Sequence, residues 1–247
     1  MDGTVTQMTT ALITGRGASE KNRWLLLGRP LCAYPILAAQ SADCINRVVF
    51  STDGRELAVI ADGYGADVLQ RPAELARADS PHEGCLLHAL ENMLPRPEIL
   101  VVLLANVAVH QWGLVDRCVE LLQQTPEASA VVPVVARPQF APSHALRQVG
   151  GKPGAGQFAA EPWGDNSGVP YFLTHQMWVM RVSKCFKGGE QPWDFLGPRV
   201  LPFIVSHGND IDNVEDAKAG ERWLVNNGWT DKVSMYDTEV KHWRDYV

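Results

Sequence analysis

ALITGRGASEKNRWLLLGRPLCAYPILAA, residues 11–39, is the stretch on which the fold turns. Thr10–Thr14 is a short apolar, β-branched run and reads as a buried strand. GRGASEKN, residues 15–22, follows as a glycine-bearing turn. The apolar spacing from Pro30 to Ala42 suits a helix. Strand, turn and helix make one βα unit, and the next hundred residues repeat it. RVVFST (47–52) reads as a strand, and RELAVIADGYG (55–65) as a helix ended by Gly63 and Gly65. DVLQR (67–71) is a short strand. Pro81–Leu94 is an amphipathic helix with Asp79 or Ser80 as its N-cap and Pro95 as its stop. ILVVLL (99–104) is a strand buried on both faces, Trp112–Gln124 a helix and SAVVPVV (129–135) a further strand. The alternation predicts an α/β fold, a mainly parallel Rossmann-like sheet with helices on both faces. Ligands of such sheets bind beyond the carboxyl ends of the strands. Gly15–Asn22, Ser51–Asp53, Arg71 and Ala105–Val109 are therefore expected along one edge.

The pattern weakens from Arg137 to Trp193, which is rich in Gly, Pro and small polar residues. Within a single domain spanning 1–247, residues 137–198 are expected to form an inserted loop-and-hairpin excursion covering an acceptor or a dimer interface. YFLTHQMWVMR (171–181) and RVLPFIVS (199–206) are strand material. HGNDIDNVEDAKAGERWLVNNG then enters a helix that Asn213 can cap. The amphipathic tail from Trp229 is expected to pack on the body or on a second subunit.

Composition narrows the classes. The 247 residues carry a net charge of -6, and 46% are hydrophobic. That supplies a core, and the net negative charge argues against nucleic acid as a partner, since such binding rests on neutralising many phosphates. No apolar run approaches the roughly 20 residues of a spanning helix, so no membrane partner is expected. MDGTVTQMTT lacks the basic-then-apolar order of a secretory signal, which points to the cytoplasm. Five widely spaced cysteines without a CxxC suggest buried thiols rather than a zinc site or disulfides.

Three constellations can carry chemistry. GRGASEKN has neither the Walker nor the GxGxxG spacing. Gly15 and Gly17 nevertheless permit close backbone approach, successive amides in such a turn can face an anion, and Arg16 and Lys21 add charge-assisted bonds to phosphate. An ordinary solvated turn would read the same. Asp210-Ile211-Asp212 follows a strand, and alternation points both carboxylates one way, a pair suited to Mg²⁺. The competing reading for Asp212 and Asn213 is a helix cap. Arg71, opening RPAELA, can contact a nucleotide or simply precede a proline turn.

Together these residues resemble the opening of the CMP-sialic acid synthetase-like cytidylyltransferases, which activate sialic acids and related acidic sugars. Arg16-Gly17-Ala18-Ser19 matches the family's glycine loop, Lys21-Asn22 its KN, and Gly28-Arg29-Pro30-Leu31 its GKPL. RVVFSTDGRELAVIADGYGADVLQRPAELA (47–76) matches the family stretch almost throughout, and Asp210-Ile211-Asp212 matches its late metal-binding aspartates. The resemblance covers about 1–135 and 199–225. There are two departures. Only Glu20 separates Ser19 from Lys21, and its carboxylate suits a triphosphate site only if it points away or meets the metal. The family's LLQPTSPLR stands here as LLANVAVHQ (103–111), with Asn106 the one nearby amide.

The resemblance implies a nucleotidyltransferase sheet, CTP and an anionic small-molecule acceptor as partners, Mg²⁺ as cofactor and a homodimer. It implies Arg16, Lys21 and Asp212 as catalytic residues. Gly17, Ala18, Ser19, Asn22, Arg71 and Asn106 would bind nucleotide, and Asp210 with Asp212 would bind the metal. Acceptor residues would come from 137–181, with His144, Arg147, Gln157, Tyr171, His175 and Gln176 as candidates. Two alternatives stand beside a sialic-acid-like acceptor: another acid, such as an octulosonate or a phosphonate, and a non-catalytic nucleotide or sugar binder.

Overall fold

A computed structural model describes residues 8–108, 111–138, 146–148, 158–160, 170–187, 194–208 and 210–229, with only the backbone of 146–148 and 158–160. Half of the expected 137–198 excursion, including His144 and Gln157, lies outside the described residues. So do Val109, His110 and the tail beyond Trp229.

The central sheet has eight strands. β1 (Thr9–Thr14) pairs in parallel with β4 (Arg47–Thr52) on one side and β6 (Ile99–Leu104) on the other. β5 (Asp67–Gln70) pairs in parallel with β4 and forms one margin. Beyond β6 lies β11 (Met177–Arg181), antiparallel both to β6 and to β7 (Ala130–Ala136). β10 (Tyr171–Leu173) continues antiparallel along β7, whose other side carries the parallel β12 (Val200–Val205). The mainly parallel sheet expected from the sequence is thus present, crossed by one antiparallel line of chain. Two small ribbons lie off it: β2 (Leu25–Leu26) with β3 (Arg29–Pro30), and β8 (Leu146–Gln148) with β9 (Phe158–Ala160).

Strand alternation distributes the core to two faces. Ala11 and Ile13 of β1 and Val101 and Leu103 of β6 face α1 (Ala33–Gln40), α2 (Arg55–Gly63), α4 (Leu114–Gln124) and α5 (Val214–Asn226). Leu12, Leu100 and Val102 point the other way, against Leu86 and Leu90 of α3 (His82–Asn92), Met93 just past its end, and Trp178. Helices therefore cover both faces, as expected. α1 is buried almost all round, from Ala33 to Ala39, so apolar residues rather than a polar–apolar alternation fill it.

Three local expectations need correction. The first helix starts at Ala33, not Pro30. Pro30 closes the β2–β3 ribbon, which turns through Leu27 and Gly28 at φ 47° and 77°. α3 starts at His82 behind Pro81, without a side-chain cap from Asp79 or Ser80. Asp79 instead accepts from Arg77, and the Ser80 hydroxyl donates to the Glu74 carbonyl. Both polar groups stabilise the preceding turn and leave none for the helix. Lastly, 171–181 is two strands. His175, at φ 54°, breaks them, while the Thr174 N–H and hydroxyl both donate to the Pro133 carbonyl.

Candidate active site

The carboxyl ends of β1, β5 and β6 border a cleft of about 330 Å³, which the expected Ser51–Asp53 do not line. Arg16, Ser19, Lys21, Asn22, Arg71 and Asn106 line it, together with Thr14, Gly15, Arg77, Ser80, His82 and Cys85. The residues singled out in three separate loops thus meet at the expected edge of the sheet. Glu20 is exposed and is not part of the lining, so its carboxylate lies off the cleft wall.

The glycine loop is anchored at alternate amides. The Gly15 N–H donates to the Ser51 carbonyl (3.1 Å), Gly17 to Asp53 Oδ1 (2.8 Å) and Ser19 to the Arg16 carbonyl (3.1 Å). Arg16 and Ala18 leave their amides without a protein acceptor among the described residues. The Gly17 amide, expected to face an anion, is thus occupied by a carboxylate. The glycines themselves serve packing: a Cβ on Gly17 would lie 2.5 Å from the Gly54 Cα, and one on Gly15 would lie 2.9 Å from the Ala105 Cβ. The close backbone approach predicted for a ligand is made to the protein's own loops.

Asn22 and Arg71 support the loop from beneath. Asn22 is buried, and its Nδ2 donates to the Arg16 carbonyl (3.2 Å). Arg71 is also buried. It donates from Nη2 to the carbonyls of Ser51 (2.6 Å) and Gly15 (3.3 Å) and from Nε to the Ser51 hydroxyl (3.2 Å). One guanidinium therefore ties the ends of β1 and β4 and places positive charge in the cleft floor. Arg16 is exposed and has no ion-pair partner among the described residues.

The aspartate pair sits at the cleft's rim. Ile211 is fully buried, and its N–H donates to the Asn106 carbonyl (3.0 Å), which sends Asp210 and Asp212 outward on either side. Asp212 accepts from the Lys21 ammonium and Asp210 from the Asn106 amide. Burial and the nearby Asp212 charge raise the Asp210 carboxyl above its ordinary value, against the opposing pull of Lys21, His175 and the Asn106 bond. The cap reading is resolved residue by residue. Asn213 caps α5 by accepting from the Glu215 and Asp216 amides, and Asp216 completes the box. The Asp212 side chain takes no part in it. Two carboxylates are hard-oxygen donors of the kind Mg²⁺ takes, although the described residues include no cluster of three or more His, Cys, Asp or Glu that could hold a metal ion.

Of the acceptor candidates, His175 lies close enough to Asp210 to act on its charge, Gln176 is fully buried and bonded to Thr174 (3.1 Å), and Tyr171 is exposed. The side chain of Arg147 lies outside the described residues. The sequence reading gave no role to His82. Its Nε2 is 3.1 Å from the Thr14 hydroxyl, its ring meets Trp178 edge-on at 5.2 Å, and burial with the Arg71 charge lowers its pKa to about 4. The usable signal was its place at the start of α3, shortly after RPAELA (71–76). Four of the five cysteines are buried and Cys44 is half-buried. Among the described residues no helix is long and apolar enough to cross a membrane.

No model of a known protein family matches the chain. A 75-residue stretch, 30% of this chain, is 39% identical to the N-acylneuraminate cytidylyltransferase of Escherichia coli and covers 18% of it. A 62-residue stretch, 24% of this chain, is 42% identical to the CMP-N,N'-diacetyllegionaminic acid synthase of Legionella pneumophila and covers 27% of it. The N-acylneuraminate cytidylyltransferase A of Danio rerio is 39% identical over 75 residues, 29% of this chain and 17% of that protein. The matches thus span less than a third of these relatives' length. Among solved structures, a CMP:2-keto-3-deoxy-manno-octonic acid synthetase complexed with CTP superposes with a TM-score of 0.65, at 12% identity, over 89% of this chain and 99% of that one. A 4-diphosphocytidyl-2C-methyl-D-erythritol synthase from Anaerococcus prevotii gives 0.58, at 13% identity and the same coverage. By its fold and by its matched sequence, this chain is akin to the cytidylyltransferases, with its curated relatives in the CMP-sialic acid synthetase-like family.

Proposed function

We propose that this protein transfers CMP from CTP to an acidic sugar, of the sialic-acid-like nonulosonate class, and releases pyrophosphate. One observation carries the reading: Arg16 and Lys21 line one cleft at the sheet's carboxyl edge, and the Lys21 ammonium reaches out of it to Asp212 of the aspartate pair. In the reaction an acceptor oxygen attacks the α-phosphorus and the bond to the β-phosphate oxygen breaks. Such transfer needs positioning and charge neutralisation rather than a covalent nucleophile. Arg16 and Lys21 bind the triphosphate and stabilise the charge growing on pyrophosphate. Ala18 and Ser19 border the same loop. Arg71 and Asn22 hold the loop's carbonyls and set the shape of the nucleotide end. Asp210 and Asp212 would hold Mg²⁺, with Asn106 fixing Asp210. When bound, the ion would supply charge neutralisation at phosphate oxygens and polarisation of the acceptor oxygen. A homodimer completes the proposal, on the strength of the family resemblance.

A second acceptor class has its own support. The segment 105–108 presents no hydroxyl, and its single amide, Asn106, is engaged by Asp210. An octulosonate or phosphonate acceptor therefore stands as the alternative, with a non-catalytic binder behind it. The test is pyrophosphate release with CTP, Mg²⁺ and a panel of nonulosonates, octulosonates and phosphonates. Turnover with a nonulosonate supports the proposal, and turnover with another acid alone selects the alternative. CTP binding without turnover on any acceptor selects the binder, and no CTP binding rejects all three.

A further inference from the structure

We propose that Asp53 is a positioning residue that presets the glycine loop for the triphosphate, acting through the Gly17 amide. This rests on the reading of the cleft as a CTP site. Asp53 follows β4 directly. Its Oδ1 accepts the Gly17 N–H at 2.8 Å, in the middle of the five-residue loop 15–19. The next residue, Gly54, lies so close to Gly17 that a Cβ on either would sit 2.5 Å from the other's Cα. Gly54 is fixed in turn, because its N–H donates to the Thr52 hydroxyl (3.0 Å). The Asp53 carbonyl accepts from Gln70 at the neighbouring strand end (3.5 Å).

The geometry gives the contact a specific effect. With Gly15, Gly17 and Ser19 held by the protein, the chain between them leaves the amides of Arg16 and Ala18 without acceptors among the described residues, and Arg16 lines the cleft. Of these three anchors only that at Gly17 uses a side chain, so it alone can be removed by mutation without altering the backbone. A carboxylate behind an anion-binding loop is electrostatically unfavourable for the ligand. Its presence is explained by the strength of a charge-assisted bond to an amide, which fixes the loop before the ligand arrives.

The test compares Asp53→Ala with Asp53→Asn, which keeps an oxygen acceptor, in wild-type and Arg16→Ala backgrounds. Calorimetry with CTP and Mg²⁺ reads affinity, and thermal unfolding reads the fold. Loss of a hydrogen bond to a charged group predicts that Asp53→Ala weakens CTP binding roughly tenfold, while Asp53→Asn stays within about threefold of wild type. In the Arg16→Ala background, Asp53→Ala costs less than about twofold further, because the two residues act as one unit. Unchanged CTP affinity in a folded Asp53→Ala variant overturns the proposal, as does full additivity with Arg16→Ala. Should Asp53→Ala fail to fold, amide exchange on the wild-type protein decides. The Gly17 N–H is expected to exchange at least about 100-fold more slowly than that of Ala18, and equal rates overturn the proposal. If the wild-type protein binds no CTP, the nucleotide reading fails by itself, and the exchange contrast still reports on the Asp53 anchor.

Discussion

Lys21 and Asp212 pair across a sequence separation of 191 residues, and they join the glycine loop to the entry of the last described helix. The contact supports the proposed role of Asp212 in the site, while its neighbour Asn213 performs the capping. Asp212→Ala is therefore expected to lower Mg²⁺-dependent turnover by more than about 100-fold, the scale of losing a key electrostatic contact to the transition state. Its melting temperature should move little, because the exposed carboxylate contributes a weak ion pair to stability. Steady-state pyrophosphate release alongside thermal unfolding checks both halves. Normal rates in the variant would return Asp212 to the surface.

Asn213→Ala gives the complementary result. It removes the acceptor for the Glu215 and Asp216 amides. The expected loss is about 1 kcal/mol, or a fall in melting temperature of roughly 2–4 °C for a chain of this size. CTP affinity should stay within about threefold of wild type, since the Asn213 side chain accepts from α5 amides rather than from a cleft residue. Circular dichroism melts and calorimetry would show whether stability and binding separate in this way.

For Arg16→Ala, CTP affinity is expected to fall about tenfold or more, as for loss of charge-assisted bonds to phosphate. The melting temperature should not fall, because this exposed side chain has no ion-pair partner among the described residues. Calorimetric titration with CTP is the check, and an unchanged dissociation constant would remove Arg16 from the site.

Asp210→Asn should trade activity for stability. The native carboxylate is held against burial and the Asp212 charge. A neutral amide keeps an oxygen for Asn106 and relieves both costs. The melting temperature should rise by about 1–3 °C at neutral pH, while Mg²⁺-dependent turnover falls by more than about 100-fold. A variant less stable than wild type would contradict the strain assigned to Asp210.

His82 should shape the acid limb of stability. Its folded pKa, about 4, lies below the ordinary 6.5, so the unfolded chain binds a proton that the native ring refuses. The stability gained from keeping it neutral is full above pH 6.5 and drains away as pH falls toward 4. Between pH 7 and pH 5 the melting temperature of wild type should drop about 3 °C more than that of His82→Gln. Parallel decline in the two proteins would mean that the ring titrates normally.

Much of this is legible in the chain. ALIT and ILVVLL announce strands buried on both faces, since apolar residues fill both parities, and the structure places their alternate residues on the two core faces. Asp210-Ile211-Asp212 announces a carboxylate pair through alternation, and the structure buries Ile211 between them and gives the two carboxylates separate partners, Asn106 and Lys21. What escapes is pairing over long separations. Nothing local says that Asn106 will meet Asp210, or that the Gly17 amide will be taken by Asp53. The start of α3 escapes for a related reason. Asp79 and Ser80 have good capping chemistry, but Arg77 and the Glu74 carbonyl compete for it.

The contact between Gly17 and Gly54 carries a lesson for inheritance and for redesign. Because bare backbone meets bare backbone there, each loop is the mould in which the other is cast. A side chain gained on either one would have to be answered by movement of both, so neither position can drift alone. Anyone transplanting this cleft to another scaffold must carry residues 15–19 and 52–54 together, as a single part.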